Sequence, residues 1–340
     1  MNSIEMIRDL SQAFGPPGFE DDVLAAASKY IPPGYATLRD SLLNFYMQKE
    51  EPVAHLPTVM LDAHSDEVGL MVRAVKTDGT IVCTNLGGWT PAALLAQRML
   101  VKSRTGELII GVMAAKEPAS IDQLVLDIGA SAKEDVLQLG IAPGCPVVPK
   151  SEFEQRGALM FGKAFDDRLG CAVALEVMHE LNNQSLDVNL VGTLSSQEEA
   201  GLRGASVSAN RVKPDVVICL EGAPADDMLG ESITQSALDC GPMIRHMDAS
   251  MITNPRFLRF ALDIAQRLGI PVQEAVRTGG GTNGGRFHLA NFGIPTLVIA
   301  CPVRYPHTHN SIASFNDYKH AVQLTVELVK ALNQDVIGEF

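Results

Sequence analysis

Apolar residues recur at helical spacing over residues 3–14, at Ile4, Ile7, Leu10 and Phe14, and Gly15-Pro16-Pro17-Gly18 ends that pattern. A second helix is expected over 19–30, ahead of Pro32-Pro33-Gly34. The unbroken run over 57–63, PTVMLDA, reads as a buried strand that delivers His64 at its end. From about Leu70 to about Leu159 the texture changes. Short β-like runs at 70–75, 80–83, 98–102, 108–113 and 124–128 are punctuated by Gly and Pro, with one helix expected over 132–139 before Gly140. After about Met160 strands and helices alternate: helices at 169–181, 199–209, 255–268 and 317–333, and strands at 188–194, 216–220 and 296–301. Such alternation implies an α/β/α sandwich with a mostly parallel central sheet. The expected division is a main domain of residues 1–69 and 159–340, interrupted by a small β-rich domain over 70–158.

Charge narrows the partners. The formal net charge is −13 and acidic residues are spread along the chain, so neither nucleic acid nor an anionic membrane is expected to bind. No apolar stretch reaches the roughly 20 residues of a membrane span, and the acidic start MNSIEMIRDLSQAF does not read as a signal peptide. Six cysteines without a CxxC pair suit a reducing cytoplasm, and Cys171, Cys219 and Cys301 sit in apolar runs as core residues do.

The candidate chemistry gathers at strand ends. His64 and Asp66 follow the strand at 57–63, Glu198-Glu199 follow 188–194, Glu221 follows 216–220, and His307 and His309 follow 296–301. Asp166-Asp167 precede a helix. Parallel strands would bring these groups to one sheet edge, where ligands of such folds bind. Histidines with carboxylates form the donor set of a zinc or cobalt site. Two divalent cations ~3.5–4 Å apart need a bridging carboxylate, and Asp166 is the best candidate for it. His64 and His307 would then supply imidazoles, Glu199 and Glu221 terminal carboxylates, and Asp66 would orient His64. Glu198 stays off the metals, free to take a proton from water and to return it to a leaving amine. Blander readings remain open at this point. A Glu-Glu pair often marks only a helix start, and an Asp-Asp pair only a helix cap.

The segments AHSDEVGLMV (63–72), GGW (87–89), AFDDRLG (164–170), SSQEEAGLRGA (195–205), GGGTNGGRFHL (279–289) and RYPHTH (304–309) resemble the tetrahedral metallo-aminopeptidase family, whose members are also labelled glutamyl aminopeptidase, deblocking aminopeptidase or endoglucanase. The resemblance runs in order over nearly the whole chain. It implies metal ligands at His64, Asp166, Glu199, Glu221 and His307, with Asp166 bridging, a general base at Glu198, and an orienting role for Asp66. It implies two divalent ions, Zn2+ or Co2+ with Mn2+ also possible, and hydrolysis of N-terminal residues from short peptides. It also implies a cis peptide at Asp166-Asp167, a homodimer through the inserted domain, and a tetrahedral homododecamer. Three positions depart from the family pattern: Glu221 where Asp is frequent, Asn283 where Asp is frequent, and His309 two residues after His307. They leave open a catalytically weakened metal-binding scaffold. A glycoside hydrolase is a further rival, disfavoured by a single Trp, Trp89, for sugar stacking and by the His-rich cluster.

Overall fold

The computed structural model describes residues 2–116, 120–228 and 233–340. The chain opens with helices α1 (Ser3–Gln12) and α2 (Asp21–Ser28), a hairpin of β1 (Tyr35–Arg39) and β2 (Phe45–Lys49), and strand β3 (Thr58–His64). A second unit follows: β4 (Gly69–Val75), β5 (Ile81–Leu86), α3 (Pro91–Leu94), β6 (Arg98–Lys102), β7 (Leu108–Ala114), β8 (Val125–Asp127), α4 (Lys133–Gln138) and β9 (Pro146–Pro149). The chain then returns through β10 (Glu154–Arg156), β11 (Leu159–Gly162), α5 (Phe165–Leu181), β12 (Asn189–Ser195), α6 (Arg203–Val212) and β13 (Val216–Pro224). It finishes with β14 (Met243–Met247), α7 (Pro255–Leu268), β15 (Gln273–Val276), α8 (Gly284–Phe287), β16 (Thr296–Arg304), β17 (Ser311–Ser314), α9 (Phe315–Ala331) and α10 (Gln334–Gly338).

The large sheet runs in the order β1-β2-β12-β3-β13-β16-β17-β11-β10, with β14 and β15 off that path. Its centre, β12-β3-β13-β16, is parallel throughout. Antiparallel strands flank this centre on both sides, so the sheet as a whole is mixed. Central parallel strands are covered on both faces, which is why β3 reads as an unbroken apolar run. Successive side chains nevertheless alternate. Val59, Leu61 and Ala63 enter the main core with α5, whereas Met60 joins Ala205, Ala209, Val217 and Phe287 on the opposite face. Helix α7 illustrates how local signals set boundaries. Asn254 caps it by accepting from the amides of Arg256 and Phe257, Pro255 occupies its first turn, and Gly269 ends it with φ +65.

The segment from β4 to β9 closes into a barrel in the order β4-β5-β8-β7-β6-β9, all antiparallel. It has its own core of Leu70, Val72, Ile81, Met99, Val101, Met113, Leu126 and Val147. Closure removes free strand edges, which a small sheet would otherwise expose. All six cysteines are free, and only Cys240 is exposed. No helix among the described residues is long and apolar enough to cross a membrane.

Candidate metal centre

Strand register brings the first residues together. His64 lies beside Ser195 in the β3–β12 pairing, so the turn after β12 carries Glu198 and Glu199 alongside it. Asp62 pairs with Cys219 in β13, which places His64 and Glu221 two residues further on in parallel strands. Glu221 therefore sits within β13, which continues to Pro224. The expected helix start at Glu199 is displaced: α6 begins at Arg203, because Gln197 and Leu202 adopt φ +54 and +59 and break the helical path. The Glu pair thus lies on a turn, and the reading of it as a helix start does not apply. Asp166 and Asp167 stand at the start of α5 with non-helical dihedrals, and the peptide between them is cis.

Two clusters share Asp166: His64, Asp166 and Glu221, and Asp166, Glu199 and His307. Asp166 Oδ1 lies 3.0 Å from His64 Nε2, and Asp166 Oδ2 lies 3.2 Å from His307 Nε2. Glu221 Oε2 is 3.8 Å from His64 Nε2, and Glu199 Oε1 is 3.0 Å from His307 Nε2. Ligand atoms ~2.0–2.1 Å from a tetrahedral cation lie roughly 3.4 Å apart, so both clusters fit an ion at their centres. Each imidazole turns Nε2 inward because Nδ1 faces a main-chain carbonyl, Asp66 O at 3.1 Å for His64 and Gly88 O at 2.9 Å for His307. The Asp66 carboxylate stands farther off, 3.5 Å from His64 Nδ1. It accepts the amides of Glu198 and Glu199 at 2.9 and 3.0 Å, thereby fixing the turn that carries them. Asp167 accepts the amides of His64 and Gly170, at 3.0 and 2.9 Å.

The electrostatics agree with the donor geometry. Burial first, then the surrounding carboxylates, push Glu198 and Glu221 well above the usual carboxylate range despite the His64 imidazole. Asp166 goes the other way: burial would raise it, but hydrogen bonds to His307 and His64 hold it well below. His307 is pushed up to about 11, its burial outweighed by Asp166 and Glu199. So many buried carboxylates with so few cations form a cavity of negative potential, which a divalent ion neutralises. The Glu198 carboxylate accepts no hydrogen bond from a described residue, and it stands beside His64 and Glu199.

These groups line a cleft of about 790 Å³ whose far wall is the glycine loop at 278–282. Lys163, Arg203 and Arg304 stand near motifs, but none lines this cleft. Lys163 is buried against Glu67, Arg304 pairs with Asp227, and Arg203 is exposed. The cations that do line it, Arg245 and Arg277, gave no motif signal; Asp248 and Asp226 hold them at 2.8 and 2.7 Å. Asn283 is buried beneath the site, donating to Asp62 Oδ2 at 2.8 Å, so its departure from the family pattern does not face the cleft. His309 is buried apart from the cluster, with Nε2 facing Arg98 O at 2.8 Å, and burial pushes it down to about 4.

The family model for M42 glutamyl aminopeptidases matches residues 44–324. The chain belongs to the M42 glutamyl aminopeptidase family. It is 30% identical to the glutamyl aminopeptidase of Lactococcus lactis subsp. cremoris, covering 100% of this chain and 99% of that one. Its fold matches a TET aminopeptidase from the marine sediment archaeon Thaumarchaeota archaeon SCGC AB-539-E09, with a TM-score of 0.95 and 33% identity over 99% and 98% of the two chains. The Pyrococcus horikoshii TET1 peptidase, described as assembling into a tetrahedron or a large octahedral shell, matches with a TM-score of 0.87 and 27% identity over 97% and 100%. Family membership makes the protein a peptidase hydrolase of a metal-dependent family, and its His and carboxylate clusters could hold metal.

Proposed function

We propose that the protein removes N-terminal residues from short peptides at a dinuclear centre held by His64, Asp166, Glu199, Glu221 and His307, with Asp166 bridging. The observation that carries this reading is the division of the Asp166 carboxylate, one oxygen toward each imidazole. These residues would hold two divalent cations, Zn2+ or Co2+ with Mn2+ a third option, which would supply Lewis acidity for the scissile carbonyl and an electrophilic site for the free α-amine of the substrate. Glu198 takes a proton from the attacking water and delivers it to the leaving amine as the peptide C–N bond breaks. Asp66 positions Glu198 through its main-chain amide, and Asp167 holds the end of β3. The glycine loop walls the cleft with bare backbone, which suits main-chain recognition of an extended peptide.

The barrel formed by β4 to β9 is read as a separate dimerisation domain, about residues 70–158, within a peptidase domain of residues 1–69 and 159–340. Leu108, Ile110 and Val112 support this: they alternate along β7 and expose 45%, 51% and 40% of their surface as an apolar stripe. Assembly of such dimers into a tetrahedral dodecamer is the proposed quaternary state, and similarity to the Pyrococcus horikoshii TET1 peptidase, described as assembling into a tetrahedron or a large octahedral shell, supports it. Free cysteines, five of the six buried, suit a cytoplasmic location.

The test is a panel of aminoacyl amides and their N-acetylated counterparts. They are assayed on chelator-stripped protein reloaded with zinc, cobalt or manganese. Hydrolysis confined to free-amine substrates and restored by added cation is the expected result. Undiminished turnover after stripping, or equal cleavage of acetylated substrates, contradicts the proposal.

A further inference from the structure

Gly87, Gly88 and Trp89 carry no titratable group, yet this turn between β5 and α3 forms one wall of the Asp166–Glu199–His307 cluster. Gly87 has φ +86, and a Cβ there would lie 2.8 Å from Val68 Cγ1, 3.0 Å from Glu199 Oε2 and 3.1 Å from Glu199 Cβ. Its backbone is therefore in direct packing contact with a carboxylate of the centre. The Gly88 carbonyl accepts from His307 Nδ1 at 2.9 Å, which sets the tautomer and points Nε2 at Asp166 and Glu199. Two further bonds hold the turn in place: Asn85 Nδ2 donates to Gly87 O at 2.8 Å, and Trp89 Nε1 donates to Gly69 O at 3.0 Å. The other cluster has no such dependence, since the carbonyl that orients His64 belongs to Asp66, directly after β3.

We propose that the Gly87–Trp89 turn is a positioning element by which the barrel completes the His307 cation site, leaving the His64 site to the peptidase domain alone. The turn acts through Glu199 and His307 and touches no substrate. This inference rests on the dinuclear reading above. Orienting contacts to metal ligands typically change cation affinity by about 10–100-fold, which sets the expected effect.

The experiment titrates Zn2+ and Co2+ into chelator-stripped full-length protein by calorimetry, with the visible spectrum of bound Co2+ as a second readout and thermal melting as the fold control. Wild type takes up two equivalents. Gly87→Ala keeps one site at wild-type affinity and weakens the other by roughly 10–100-fold. Trp89→Phe, which adds no clash and removes the anchoring N–H together with part of the indole ring, weakens the same site less. His307→Ala loses that site, and adding Gly87→Ala to it causes no further loss. Gly106→Ala is the control, because Gly106 has φ +88 in the same barrel but nothing within 4 Å of an added Cβ. It retains both sites. Wild-type affinity at both sites in Gly87→Ala and Trp89→Phe overturns the inference, as does an equal loss in Gly106→Ala. A His307→Ala protein that still binds two equivalents at wild-type affinity removes His307 from the ligand set and overturns this inference, whereas wild-type protein that takes up fewer than two equivalents overturns the dinuclear reading itself, and this inference with it.

Discussion

Glu67 lies beneath the centre, and its substitution by Gln is the sharpest stability test the fold offers. Its side chain is 2% exposed, against 3% for Lys163 and 0% for Arg168. Lys163 Nζ donates to Glu67 Oε2 at 2.7 Å, and Arg168 Nη2 lies 3.3 Å from Oε1. The guanidinium also bonds the carbonyls of Leu10, Ala13 and Gly15 at 2.6, 3.1 and 3.2 Å. This knot ties the segment after α1 to both His64–Asp66 and the Asp166 turn. Glu67→Gln conserves shape but leaves two cations buried without an anion. Breaking a buried pair from one side costs about 3–5 kcal/mol. Unfolding entropy of about 2.1 cal/mol/K per residue gives roughly 0.7 kcal/mol/K for this chain, hence a fall of about 4–7 °C in Tm. The assay is urea unfolding at pH 7 with calorimetric Tm, beside Asp9→Asn. That substitution removes the charge pair Lys29–Asp9 at the surface while leaving the Tyr30 hydroxyl an amide oxygen to donate to, and it should cost under about 1 kcal/mol. The gap between Glu67→Gln and wild type should also narrow as pH rises through about 8. Burial pushes Lys163 down to that value, and a neutral Lys163 no longer needs the carboxylate. A Glu67→Gln protein within about 1 kcal/mol of wild type would mean that Lys163 and Arg168 do not depend on this carboxylate.

Two further predictions follow from single positions. A Cβ at Gly222 would meet Phe165 O at 2.6 Å, Asp166 Cα at 2.7 Å and Asp166 N at 2.9 Å, all backbone. Gly222→Ala should therefore displace Asp166, costing about 1–3 kcal/mol of stability and weakening both cations, checked by unfolding and by metal titration. An alanine variant that binds both ions with wild-type affinity would show that the turn can move freely. Glu20 is fully buried and accepts the amides of Gly18 and Gln197 at 2.8 and 3.1 Å; burial, then the charge of Asp66, pushes it up to about 8 from 4.5. The folded state thus holds more protons than the unfolded one between those values, so this carboxyl's contribution to stability falls as pH rises. At about 1.4 kcal/mol per unit, Glu20→Gln should gain roughly 3 kcal/mol on wild type between pH 5.5 and 8 in urea unfolding. Parallel stability curves would contradict this.

The sequence reading succeeded where local chemistry and burial coincide. Helix α7 lies at the expected 255–268 because Asn254, Pro255 and Gly269 mark both its ends. The central parallel strands were legible because burial on both faces writes an apolar run. The β1–β2 hairpin was missed because β1 is an exposed edge strand, with four of its five residues at the surface and no alternation to read. Strands β14 and β15 were missed because each is short, and only one of the four residues of β15 is buried. The helix expected from Glu199 failed because the dipole argument for acidic residues carries no information about the turn at Gln197 and Leu202. At the site, the ligand candidates were visible as side chains. The Gly88 carbonyl and the Asp66 contacts to two amides were not, since backbone partners leave no mark in residue identity.

Glu198 is the residue on which the proposed reaction depends most directly. The decisive measurement is kcat for an aminoacyl amide by Glu198→Ala protein, with bound cation counted on the same sample. A general base at Glu198 predicts two equivalents of metal and a kcat reduced by roughly 10²–10⁴-fold. Full activity with both cations in place would contradict it.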